Sequence, residues 1–165
     1  MFRKFKFEED LYGNLKDIPM STRFKLDQVG LKLGVKSWNR FSPEEKKVLC
    51  HLSVRSQGEL DCYKEYLLSL LRRLKEKPEW TDPAAAQEER NQWENLGHIP
   101  ECVYLKALSL KGLITQGEWI RLDDLERYTL FRLSLEKYGD ALFARALEEF
   151  LGVPAPKPAK AAKAS

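Results

Sequence analysis

Laid on itself so that Ile18-Pro19 meets Ile99-Pro100, the sequence also brings Trp38 onto Trp119, and this internal match limits the available folds more than any other feature. Over 18–58 against 99–139 the same constant offset matches Lys25 with Lys106, Arg40 with Arg121, Glu45 with Glu126, Leu49 with Leu130, Leu52 with Leu133, Ser53 with Ser134 and Gly58 with Gly139. Ten of 41 positions are therefore identical, where average residue usage gives roughly one in sixteen by chance. Each copy reads as Ile-Pro, a helix, a loop carrying Trp, an N-cap (Ser42 or Asp123) and a Glu-x3-Leu-x2-Leu-Ser helix. Gly30 and Gly112, near the end of the first helix of each copy, match only after a one-residue slip. A repeated unit presents an incomplete apolar face that its twin can cover about a pseudo-two-fold axis. The alternative is two similar hairpins of independent origin. Equivalent surroundings for Trp38 and Trp119 are the distinguishing expectation.

Local signals predict an all-α chain. Residues 20–29 give about three helical turns with Met20 and Phe24 on one side, stopped by Gly30. Residues 31–41 lack a helical period and read as a loop whose aromatics, Trp38 and Phe41, enter the core. Ser42-Pro43-Glu44-Glu45 is a capping box with proline at the first helical position; the helix it opens runs through Leu52 and is predicted to bury Val48, Leu49 and Leu52. Ser56 to Glu59 repeats that spacing ahead of the strongest apolar stripe, from Leu60 to Leu74. Pro78 and Pro83 break the pattern, and a polar helix follows from Ala84 to about Asn95. In the second copy, 125–135 is apolar on most sides and should be the most enclosed helix, and 141–151 is a final amphipathic helix stopped by Gly152 and Pro154. The expected organisation is one helical domain over 1–153, with unit A at about 18–75, a linker with its helix at 76–98 and unit B at 99–152. A Pro/Ala/Lys tail at 154–165 has nothing to bury and is expected to be disordered.

Charge narrows the function classes. The formal charge is +3, but the tail contributes three lysines and no acid, leaving 25 basic and 25 acidic side chains in the body. A neutral body lacks the global footprint of a nucleic-acid binder. Residues 100–134 can still be heard as helix, turn, helix with Lys106, Lys111, Arg121, Arg127 and Arg132 nearby, so a small helical DNA-binding or regulatory protein is the alternative reading. Its leucine-rich second helix lacks the polar face that base edges require. No segment reaches the roughly 18 apolar residues of a membrane span, and three cysteines spaced far apart fit reduced thiols in a cytosol. Cys50-His51, Cys62 and His98-x3-Cys102 match no compact metal-ligand spacing, so Cys50 and Cys62 read as small buried hydrophobes. No phosphate-binding glycine loop, nucleophile elbow or His-Glu-x2-His helix is present. The adjacent acids Glu44-Glu45 and Asp123-Asp124 suit helix starts. Neither an enzymatic role nor a bound cofactor is expected.

The residues Ile18-Pro19-Met20, Arg23, Lys25-Leu26-Asp27, Gly30, Lys32-Leu33, Trp38 and Phe41 are followed by Ile99-Pro100, Trp119, Leu122, Leu125, Arg127-Tyr128 and Leu133-Ser134, with Ala146 to Phe150 closing the pattern. Over about Phe5 to Gly152 this order resembles the nitrate reductase associated protein family, of the kind found in cyanobacteria beside assimilatory nitrate reductase genes. The resemblance implies a cytoplasmic maturation factor whose partner is the nitrate reductase apoenzyme or its cofactor-insertion machinery, aiding acquisition of the molybdenum cofactor or iron-sulfur cluster. It carries over no catalytic residue. Because the aromatics and leucines are accounted for as core, the polar members Arg23, Lys25, Asp27, Lys32, Arg40 and Arg127 are the candidate partner-binding residues. For Arg40, bracing the loop is an equally good reading.

Overall fold

Among the described residues, four helices open on a reciprocal capping box. The side chains of Ser42, Ser56, Thr115 and Asp123 each accept a backbone N–H three residues on, and Glu45, Glu59, Glu118 and Glu126 reach back to the cap backbone. Each box satisfies two donors that a helix start otherwise leaves open, which is why these boundaries are legible locally. The computed structural model describes residues 2–135 and 138–152; the expected tail at 154–165 lies outside them.

A 3₁₀ turn at Lys6–Glu8 leads into a short helix, α1 (Glu9–Tyr12), and buries Phe5 and Phe7, whose rings stack at 5.4 Å. There follow α2 (Met20–Val29), β1 (Leu31–Lys32), α3 (Val35–Trp38), α4 (Pro43–His51), α5 (Gln57–Arg73), β2 (Glu79–Trp80), α6 (Pro83–Glu94), α7 (Glu101–Ser109), α8 (Gln116–Arg121), α9 (Asp124–Ser134) and α10 (Asp140–Leu151). The chain is thus mostly helical with one two-stranded antiparallel sheet, in which Leu31 pairs with Trp80 and Lys32 with Glu79. β1 and α3 both fall within 31–41, where the sequence predicts a plain loop. Gly34 introduces α3, and one helical turn suffices to swing Trp38 into the core.

The described residues divide into two compact units, the first up to residue 91 and the second from residue 92, with α6 running across the boundary. In the first, α2 packs on α5, α4 and β1 around Ile18, Leu31, Trp38, Leu49, Tyr63 and Leu67. In the second, α9 packs on α7 and α10, and seven of its eleven residues are buried, which makes it the enclosed helix that its all-round apolar pattern predicts. The offset that carries Ile18 to Ile99 also carries the starts of α2, α3 and α4 onto those of α7, α8 and α9. Trp38 and Trp119 are both fully buried, and each indole N–H donates to a backbone carbonyl ahead of the Ile-Pro pair of its own unit, Leu15 O at 2.8 Å and Asn95 O at 2.9 Å. The left-handed residue closing α2 is Gly30 (φ 75°), and the position matched to it by that offset, after α7, is Lys111 (φ 58°), also left-handed. The slip to Gly112 is not needed.

Three predicted burials, those of Val48, Leu52 and Cys62, are corrected. Val48 is 38% exposed and Leu52 only half-buried, because α4 turns Lys46, Leu49 and Cys50 inward, an i, i+3, i+4 set offset from the apolar one. Cys62 is exposed. Phe24 is half-buried, while Thr22 and Lys25 occupy the inner face of α2. Asp123→Ala removes the α9 cap and is expected to lower stability by about 1 kcal/mol, whereas Asp123→Asn keeps the acceptor; urea titration of the two variants checks the difference.

Candidate functional site

Two buried cations organise the units. Lys46 in α4 donates to Leu15 O and to Asn39 Oδ1, each at 3.1 Å, and its ammonium lies 5.7 Å from the centre of the Trp38 ring. Arg127 in α9 is the residue that the internal match sets against Lys46. Its guanidinium donates to Trp93 O at 3.0 Å, to Leu122 O and to Asp124 Oδ1. A guanidinium fork suits this because three acceptors lie around one planar group. Sequence reading overlooked Lys46, although its register with Arg127 was the available signal.

A buried polar chain ties the N-terminal segment to α2. Glu8 accepts the Met20 N–H through Oε1 (2.9 Å) and the Tyr12 hydroxyl through Oε2 (2.9 Å), and Tyr12 in turn accepts the Phe5 N–H (2.6 Å). Burial pushes the Glu8 carboxyl up from 4.5 to about 7, against the opposing pull of those two donors. Lys25 donates to Cys50 O at 2.6 Å, and burial brings its ammonium down to about 8. The Thr22 hydroxyl donates to Cys50 Sγ at 3.3 Å, and burial also raises that thiol. This is an inert cysteine, since the nucleophilic form is the thiolate.

The candidate residues separate by exposure. Lys25 and Arg127 are buried and bonded within their units. Arg23 donates to Asp17 Oδ1 (2.7 Å) and Ile18 O (3.2 Å) and is partly exposed. Asp27 lies one turn further along the same face of α2. Lys32, exposed on β1, is 3.4 Å from Glu79 Oε1. Arg40, also exposed, braces the end of α5 through Glu76 (2.5 Å) and Leu74 O (3.3 Å). The structure therefore aligns Arg23, Asp27 and Lys32 along α2 and β1 and sets Arg40 apart, while Arg127 belongs to the other unit.

Asp27 opens onto a cleft of about 490 Å³ in the first unit, also lined by Gln28, Lys64, Trp80, Gln87 and Arg90. Lys64 Nζ stands 5.0 Å from the centre of the half-exposed Trp80 ring, and Arg90 donates to Gln28 Oε1 at 3.3 Å. Polar groups of both signs around an aromatic ring suit a protein segment carrying mixed charge. Lys64, Trp80 and Arg90 were not among the candidates, because only the β1–β2 pairing brings the Trp80 stretch beside α2. Among the described residues no group of three or more His, Cys, Asp or Glu is placed to hold a metal ion, and no helix is long and apolar enough to cross a membrane.

The chain is mostly helical, with buried charges that brace its own backbone and exposed charges along α2, β1 and the cleft beside them. The chain belongs to the conserved nitrate reductase-associated protein family, whose model matches residues 4–150. No curated protein and no solved structure matches it significantly. The match spans both units, so the family pattern is a property of the whole described body.

Because Glu8 binds its proton more tightly folded than unfolded, the native state holds the extra proton between pH 4.5 and about 7. Stability should fall as pH rises through that window, by up to about 3 kcal/mol. Denaturant titrations from pH 4.5 to 8 should show the decline in the native protein and a flatter profile in Glu8→Gln.

Proposed function

We propose that this protein is an accessory factor for assimilatory nitrate reductase that binds the apoenzyme, or the machinery that inserts its cofactors, and assists acquisition of the molybdenum cofactor or iron-sulfur cluster while carrying neither itself. The observation that carries the reading is the family match across residues 4–150. It is supported by the way the side chains are spent: Lys25, Lys46 and Arg127 are buried against backbone carbonyls, which leaves the exposed charges as the means of recognising a partner. Three free cysteines fit a reducing cytoplasm.

In this reading Arg23, Asp27 and Lys32, with the cleft beside them, form the docking surface, Arg40 lies at its margin, and Lys25 and Arg127 act on binding only by holding their units in shape. The two units descend from one duplicated unit. The common spacing of helix starts, the paired tryptophans, the paired capping boxes at Ser42 and Asp123 and the paired left-handed residues all support that origin.

Deleting the gene should abolish nitrate reductase activity while its polypeptide persists; full activity in the deletion strain would overturn the maturation role. In binding measurements with cofactor-free reductase, the double change Asp27→Lys, Lys32→Glu, which spares the bonds of Arg23 to Asp17 and Ile18 O, should weaken association at least about tenfold, or ~1.4 kcal/mol, with an unchanged melting temperature. Arg127→Leu should instead lower the melting temperature first.

A further inference from the structure

We infer that the outward face of α7 is a self-association surface through which two copies of this chain pair about a two-fold axis. On its inner side α7 buries Val103 and Ala107. On its outer side, at helical spacing from Glu101, it presents Tyr104, Leu105 and Leu108, which are 42%, 52% and 49% exposed, and Leu113 follows just beyond its end at 61%. The fold does not require apolar residues at these positions. Their counterparts in the first copy of the repeat are Arg23, Phe24, Asp27 and Lys32, three of them charged. The same helix in the same kind of unit thus has a polar outer face in one copy and an apolar one in the other.

The open apolar area of these four residues is on the order of 400 Å², a patch large enough to mark an interface and about half of the ~800 Å² that each partner contributes to a stable complex. A polar rim supplies the remainder. The rim also selects the occupant. Glu101 opens α7 at one end of the patch and Lys111 lies two residues past its last residue, Ser109, at the other, both exposed, with roughly 12 Å of helix between Glu101 and Ser109. A two-fold axis passing beside Lys106 sets two α7 helices antiparallel. Glu101 of each copy then lies opposite Lys111 of its partner, and Tyr104 opposite Leu108, so one register matches both the charges and the apolar side chains. A closed, isologous pair needs such self-complementarity. Lys106 at the centre is no obstacle, since its ammonium is turned aside to Asp140.

Sedimentation equilibrium of the full chain over about 1–100 µM, a range that reveals micromolar dissociation constants, should give a mass near twice 19.2 kDa. Leu105→Glu should be monomeric across that range with unchanged circular dichroism. Glu101→Lys and Lys111→Glu should each weaken the dimer at least about tenfold, and combining them should restore it, because the exchanged pair is attractive again. A wild-type chain that stays monomeric at 100 µM, a dimer indifferent to Leu105→Glu, or a double exchange no better than either single one overturns the proposal. A monomer whose Leu105→Glu variant loses the reductase would overturn it in favour of that enzyme as the occupant.

Discussion

Two donors converge on the carbonyl of Leu15, the indole of Trp38 and the ammonium of Lys46, and the architecture of the first unit depends on that junction. Leu15 has φ 48°, in the left-handed region that β-carbon sterics disfavour. Its buried side chain and doubly bonded carbonyl hold it there, and the turn it makes delivers Ile18-Pro19 to the start of α2. The second unit solves the same problem with different chemistry. Trp119 and Arg127 hold the carbonyls of Asn95 and Trp93, just ahead of Ile99-Pro100. In each unit an aromatic donor and a buried cation grip the segment entering the first helix of the matched pattern, and burying the cation is tolerable because backbone carbonyls accept its hydrogen bonds.

This use of charge separates structure from recognition. Lys25, Lys46 and Arg127 donate to carbonyls inside their units and are withdrawn from the surface, so the family pattern mixes charges buried within the molecule with charges exposed on it. Arg40 stands between the two classes, exposed yet bonded to the end of α5. Lys25 and Arg127 belong to the first class and Lys32 to the second.

Helix boundaries were legible because capping boxes and the proline at the head of α4 are decided by neighbouring residues. Two kinds of feature were not. The pairing of Leu31–Lys32 with Glu79–Trp80 joins segments far apart in the chain and involves only two residues on each side, too few for any periodicity to register. The inner faces of α2 and α4 include Lys25 and Lys46, which an apolar pattern does not mark as buried. Once Lys46 reaches in to Leu15 O, Val48 must turn out. Apolar periodicity cannot reveal a helix whose inner face includes a satisfied ammonium. For the same reason the sequence does not separate the buried candidates from the exposed ones, and it gives no sign of the cleft formed with Lys64, Trp80 and Arg90.

The closures of α5 and α7 both place a lysine, Lys75 and Lys111, in the left-handed conformation, with the following N–H bonded five residues back, Glu76 to Leu71 O and Gly112 to Ala107 O. At that position glycine is the residue with no steric penalty. Each lysine forgoes a few tenths to about 1 kcal/mol that glycine would recover after its greater entropy loss on folding. The chain therefore holds a small reserve of thermal stability at two exposed side chains, and a more heat-resistant form of the molecule is reachable without repacking its interior.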